Sequence, residues 1–240
     1  MTGVQTCALP IFARGREFGL KEFYYSPVTA FVTQNNRIMG IKTTKQSFSA
    51  NHVILCTGAY TNQLGKLLGK QWDALHYVLG QAMVTEKVPF KLNNHLASAS
   101  FFEMGADIPF GTLLANMAIS QSTHGNLLLG ESMFEAHHFE TKVPPRSLPS
   151  IAKSVQRYFP TFNKVNILHS WSAAIADTKD GLPLLGPVSD IENLYLATAF
   201  RSTVIVTPLI GETLAQLITT GKSDLDITSF LPERNAYVSN

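Results

Sequence analysis

The stretch Trp171-Ser-Ala-Ala-Ile-Ala-Asp-Thr-Lys-Asp-Gly-Leu-Pro-Leu-Leu-Gly-Pro187 decides the fold. Asp180-Gly181 is a turn dipeptide, and it follows a long β-rich run, Val165 to Ala176. Leu182 to Leu185 then reads as chain entering a buried sheet. A turn between two such runs is expected to lead from one domain to the next. Working outward, Asn193 to Thr198 reads as a strand. It feeds a final amphipathic helix, expected over Thr207 to Thr220, with Ile210, Leu214, Leu217 and Ile218 inward. Thr207 can cap that helix, Pro208 fits its first turn and Gly221 can close it.

Upstream, His52 to Cys56 (HVILC) is a short apolar run of the kind found in strands buried on both faces of a parallel sheet. Cys56 is read as a small buried hydrophobe. Thr57-Gly58-Ala59 ends the run, where small residues allow close backbone approach to a ligand. Helical spacing follows from Tyr60 to Leu68. Val28 to Thr33 and Ile38 to Thr43, around Gln34-Asn35-Asn36, read as a hairpin, with a third strand near Phe48. The middle of the chain differs. Tyr77 to Val88, Leu113 to Gln121 and Asn126 to Glu131 suggest a separate antiparallel sheet, followed by a helix over Ser147 to Phe159.

Composition narrows the function classes. The 240 residues are 45% hydrophobic and 15% charged, with a net charge of +2, which suits a globular protein without a nucleic-acid footprint. No apolar run is long enough for a membrane span. Two cysteines, Cys7 and Cys56, form no disulfide framework and suit a reducing, cytoplasmic compartment. Met1 to Ile11 (MTGVQTCALPI) resembles a translated sequencing adapter. It is read as an artefactual leader and set apart from the fold.

Three segments in order, Ser49–Tyr60, Trp171–Pro187 and Asn193–Thr203, resemble the D-amino-acid oxidase-like flavoproteins, which include glycine and sarcosine oxidases, opine oxidase and hydrogen cyanide synthase subunits. Asp180-Gly181-Leu182-Pro183 and Gly186-Pro187 match the family's central motif without a gap. The resemblance implies an α/β fold. A discontinuous, Rossmann-like FAD-binding domain over 12–75 and 177–240 would carry an inserted antiparallel α+β substrate domain over 76–176. It implies FAD as cofactor, contacted by Thr57, Gly58, Gly181, Ala199, Phe200, Arg201, Ser202, Thr203 and Val204. It also implies oxidation of a secondary amine or amino acid, and leaves room for a partner oxidase subunit.

The departures matter. Two family glycines fall at Ala199 and Thr203, which raises the alternative of a non-catalytic, degenerate subunit of a multi-subunit oxidase. A nicotinamide-linked dehydrogenase is disfavoured by the motif over Asp180–Pro187. The arginine that binds substrate carboxylate in amino-acid-oxidising members falls at Ile175. Arg201 is the better carboxylate anchor, because a guanidinium can pair bidentately. His169 and Trp171 alternate onto one strand face. His169 is a substrate-contact candidate, although packing as core is the favoured reading of the pair. A metal site from Glu131, Glu135, His137, His138 and Glu140 is discounted in favour of a polar loop after a strand. No G-x-G-x-x-G occurs. The family places that phosphate-binding turn near its N-terminus, so about 150 further residues are expected ahead of Phe12. The chain as written is then expected not to retain FAD stoichiometrically.

Overall fold

The computed structural model describes residues 3–99, 112–136, 142, 144–200 and 203–234. The chain divides into two compact units, Met1–Leu75 with Ala176–Asn240, and His76–Ile175.

In the first unit, a helix α1 (Gly3–Glu17) precedes a three-stranded sheet of β1 (Val28–Gln34), β2 (Arg37–Thr43) and β3 (Ser47–Ser49). Asn35 and Asn36 both take positive φ, 50° and 59°, between β1 and β2. A two-residue hairpin needs that left-handed pair to match strand twist, and asparagine tolerates it. Strand β4 (Val53–Leu55) follows, then a short helix α2 (Thr61–Gly65) flanked by 3-10 turns. The helix expected over Tyr60–Leu68 is therefore broken into three short pieces.

After the second unit the chain supplies β10 (Leu184–Pro187), β11 (Leu194–Thr198) and helix α4 (Thr203–Thr220). The sheet order is β10-β11-β4, with β11 antiparallel to β10 and parallel to β4. Leu184, Leu194 and Leu196 are buried with Ile38, Leu55 and Trp72 in one core cluster, while Leu185, Ala197 and Leu214 form another. Helix α4 begins four residues earlier than the sequence suggests. Thr207 is therefore not its cap, and Pro208 lies inside the helix. Gly221 does close it, at φ 73°.

In the second unit, β5 (Leu75–Lys87), β6 (Leu96–Ala97), β7 (Leu113–Gln121), β8 (Asn126–Ala136) and β9 (Ile167–Thr178) form one sheet in the order β6-β7-β8-β5-β9. Helix α3 (Ser147–Tyr158) presents Ile151 and Val155 to Met83, Met117, Ile119, Leu127 and Leu129. Pro149 is accommodated in its first turn, where no intrahelical N–H bond is lost. Strand β8 runs on to Ala136. Glu131 thus lies in a strand as the β-rich run suggests, and Glu135 extends that strand instead of lying in the expected polar loop, because a strand with one face toward solvent tolerates polar residues. His137, His138 and Glu140 lie outside the described residues. Among the described residues, no group of metal-ligating side chains forms and no helix is long and apolar enough to cross a membrane.

Candidate functional site at the edge of the parallel strands

The first unit gathers several of the sequence-predicted positions at one edge of its sheet. Leu196 lies opposite Leu55 in the parallel pair β11/β4, so both strands finish at the same edge. Leu184 lies opposite Thr198 in the antiparallel pair, so β10 begins there. Three residues at this edge adopt left-handed backbone: Gly58 (φ 50°) after β4, Gly181 (φ 71°) before β10 and Ala199 (φ 61°) after β11. A side chain added at Gly58 would meet nothing within 4 Å, so its backbone faces open space. Ala199 takes a conformation that usually requires glycine, at a cost of about 1–2 kcal/mol, and it is buried.

Helix α4 starts five residues after β11 ends. Its first-turn N–H groups have no intrahelical acceptor and carry the positive end of the helix dipole. Backbone amides, hydroxyls and a helix start at the carboxyl edge of parallel strands fit a planar cofactor whose reduced form is anionic. The one acid in this set, Asp180, is neutralised. Arg234 Nε donates to its Oδ2 at 2.9 Å and Arg234 Nη2 to its Oδ1 at 3.0 Å. Burial pushes the Asp180 carboxyl up, but hydrogen bonds from Arg234, the Leu182 N–H and Thr178, with the guanidinium charge, outweigh it. The net position is below the ordinary aspartate value.

Thr57, Gly58, Gly181, Ala199 and Phe200 are thus brought to one sheet edge. Thr203 and Val204 form the first turn of α4, and Arg201 and Ser202 lie outside the described residues. Thr61, Thr198 and Arg234 escaped the sequence reading. Only proximity to Gly58 and Ala199 could have flagged the threonines, and nothing local flags Arg234.

Two expectations are corrected here. Cys56 is exposed rather than buried, and Ile54, two residues earlier, is also exposed while Leu55 between them is buried. Strand β4 is therefore not covered on both faces. Among the described residues its only strand partner is β11, which leaves an apolar strand incompletely flanked.

In the second unit, His169 and Trp171 stack with ring centroids 6.4 Å apart on β9. His169 is exposed and Trp171 is 40% exposed, so the pair does not pack as core. Ile175 continues the same stripe and is exposed too. It lies against Gly80 of β5, where an added Cβ would meet Ile175 Cδ1 at 3.2 Å. Glu131 is the extra residue at a bulge, where Gln81 faces Ser132 and Ala82 faces Gly130. Burial raises the pKa of its carboxyl.

The family model described as "FAD dependent oxidoreductase" (DAO) matches residues 11–217. Hydrogen cyanide synthase subunit HcnC of Pseudomonas protegens is 26% identical over 223 residues, covering 92% of this chain and 49% of that protein. Glycine oxidase of Pseudomonas putida is 22% identical over 208 residues, covering 86% of this chain and 52% of that protein. The crystal structure of L-proline dehydrogenase from P. horikoshii superposes with a TM-score of 0.75 at 23% identity, over 92% of this chain and 57% of that one. The chain spans about half the length of the curated relatives it matches.

Proposed function

The chain belongs to the DAO family of FAD-dependent oxidoreductases, and from that premise we propose that the native protein oxidises the carbon–nitrogen region of a small amine or amino acid. FAD, when bound, supplies the redox chemistry by accepting a hydride equivalent from the carbon beside the amine. The observation that carries the reading is the edge where Gly58, Gly181 and Ala199 all take left-handed backbone. In this reading residues 12–75 and 177–240 hold the flavin, and residues 76–176 present the substrate surface.

Thr57, Gly58, Gly181, Ala199, Phe200, Ser202, Thr203 and Val204 contact the flavin, largely through backbone. The start of α4 stabilises the negative charge of the reduced ring. Arg201 anchors a substrate carboxylate, and His169 is the second substrate-contact residue. The dinucleotide phosphates find no glycine-rich turn among these 240 residues. A cytoplasmic setting and a partner oxidase subunit complete the proposal. The partner is suggested by a relative whose name is that of a synthase subunit.

Retention of the left-handed turn at Ala199 supports a working enzyme over a degenerate subunit. The alanine keeps the backbone shape that glycine would give.

The test is anaerobic mixing of the FAD-loaded protein with glycine, sarcosine and L-proline, without added NAD. Bleaching of the visible flavin band by at least one amine or amino acid is expected. A flavin that stays oxidised with every secondary amine and amino acid tried would sink the reading.

A further inference from the structure

Two buried hydroxyls, one at the start of α2 and one at the end of β11, meet at this edge. Thr61 is fully buried and Thr198 is 2% exposed. Thr61 Oγ1 donates to the Gly58 carbonyl at 2.8 Å and shares a hydrogen bond with Thr198 Oγ1 at 3.2 Å. Thr198 Oγ1 lies 3.4 Å from the same carbonyl, and Thr57 Oγ1 lies 3.1 Å from Thr61 Oγ1. The backbone N–H of Thr61 also donates to the Gly58 carbonyl.

We propose that Thr61 and Thr198 are positioning residues that lock the Gly58 and Ala199 turns in the shape that receives the flavin. The proposal rests on the FAD reading above. A glycine has wide conformational freedom, so the left-handed state of Gly58 must be held by its surroundings. The Gly58 carbonyl is held inward by the threonine bonds, which leaves the open side of the turn toward solvent. On the other strand, Thr198 is the last residue before left-handed Ala199. One hydroxyl pair therefore ties together both turns, across 137 residues of sequence. A buried hydroxyl network of this kind fixes geometry because leaving any member unpaired is costly.

The native FAD-loaded protein, its Thr198→Val and Thr61→Val variants and the matching serine variants test this. Valine keeps the volume and removes the hydroxyl, whereas serine keeps the hydroxyl and removes a methyl group. The valine variants should raise the FAD dissociation constant about tenfold, corresponding to about 1.4 kcal/mol. They should also shift the flavin absorbance and fluorescence, and the serine variants should restore both. Hydroxyls that merely satisfy each other in the core would lower thermal stability and leave flavin affinity and spectrum untouched, which overturns the proposal.

Hydrogen exchange of the unmutated protein provides a measurement that no misfolded variant can obscure. FAD should protect peptides covering 57–61 and 197–203. Flavin bound without protection there overturns the positioning role alone. An unmutated native protein that binds no flavin overturns the FAD reading with it.

Discussion

Arg234 and Asp180, 54 residues apart, meet as a two-pronged ion pair in which both side chains are only 9% exposed. The guanidinium also donates to the carbonyls of Leu182 at 2.6 Å and Pro183 at 2.8 Å. The C-terminal segment thereby clamps the turn that brings Gly181 to the candidate site. Removing one partner of a buried pair leaves the other charge uncompensated. Arg234→Met should therefore cost about 3–5 kcal/mol. Chemical denaturation would measure it. Adding Asp180→Leu to that variant should recover part of the loss, and a double variant as unstable as the sum of the singles would show that the two residues act independently.

The same pair sets an acid response. The Asp180 carboxyl titrates below the ordinary aspartate range in the folded protein, so its contribution is fully present above the unfolded value of about 3.9. It is lost as pH falls through the folded value. Without Arg234, burial is opposed only by the hydrogen bonds from the Leu182 N–H and Thr178, so the carboxyl pKa moves up from its position in the unmutated protein. Protonation then relieves the variant instead of harming it. The stability gap between the unmutated protein and Arg234→Met should accordingly narrow as pH falls below about 4. A gap independent of pH would assign the clamp to the carbonyl bonds rather than to charge.

Local chemistry made part of this legible. Asn35-Asn36 announced the hairpin, and the unbroken Trp171–Pro187 motif announced the family and the turn at Gly181. Long-range relations were hidden. Arg234 carries no local sign that its partner is Asp180, and Thr61 at the start of α2 and Thr198 at the end of β11 look unrelated until β4 and β11 pair. Thr207-Pro208 has the composition of a cap and first turn, yet the helix continues back to Thr203. An apolar run such as His52–Cys56 reports hydrophobicity, not the number of neighbouring strands. The exposure of Ile54 and Cys56 follows from that number and is not written in the run itself.

Ala199 gives a direct measure of stored backbone strain. At φ 61° it pays for a left-handed turn that glycine adopts freely. Ala199→Gly should be stabilising by about 1 kcal/mol, less whatever its buried methyl group contributes. Ala197, two residues earlier and also buried in β11, provides the control. There a glycine removes packing and adds chain freedom, so Ala197→Gly should destabilise by about 1 kcal/mol. Equal losses at both positions would mean that Ala199 is not strained.

If Arg201 anchors a substrate carboxylate as proposed, its removal separates the substrate classes. In the FAD-loaded protein, Arg201→Ala should weaken substrates bearing a carboxylate by about 1.5–3 kcal/mol, the worth of a charge-assisted bond. Uncharged amines should be little affected. Comparison of kcat/KM for sarcosine and for a simple secondary amine would read this out. Equal losses for both would overturn the carboxylate-anchoring role of Arg201.

Self-association of the 240-residue chain is the last expectation, and it follows from what the first unit exposes. Ile54 lies in β4, which pairs only with β11 among the described residues. Ile205 is 83% exposed on α4, and Leu209, four residues along the same helix, is exposed with it. An incompletely flanked apolar strand invites pairing with another chain, and a helix face bearing apolar residues adds to the attraction. Sedimentation velocity should show mass increasing with concentration. Ile205→Lys and Ile54→Thr should each reduce it, because a charge or a hydroxyl on the exposed surface disfavours its burial against a second copy. Fully monomeric protein across the accessible concentration range would mean that these residues are covered in solution.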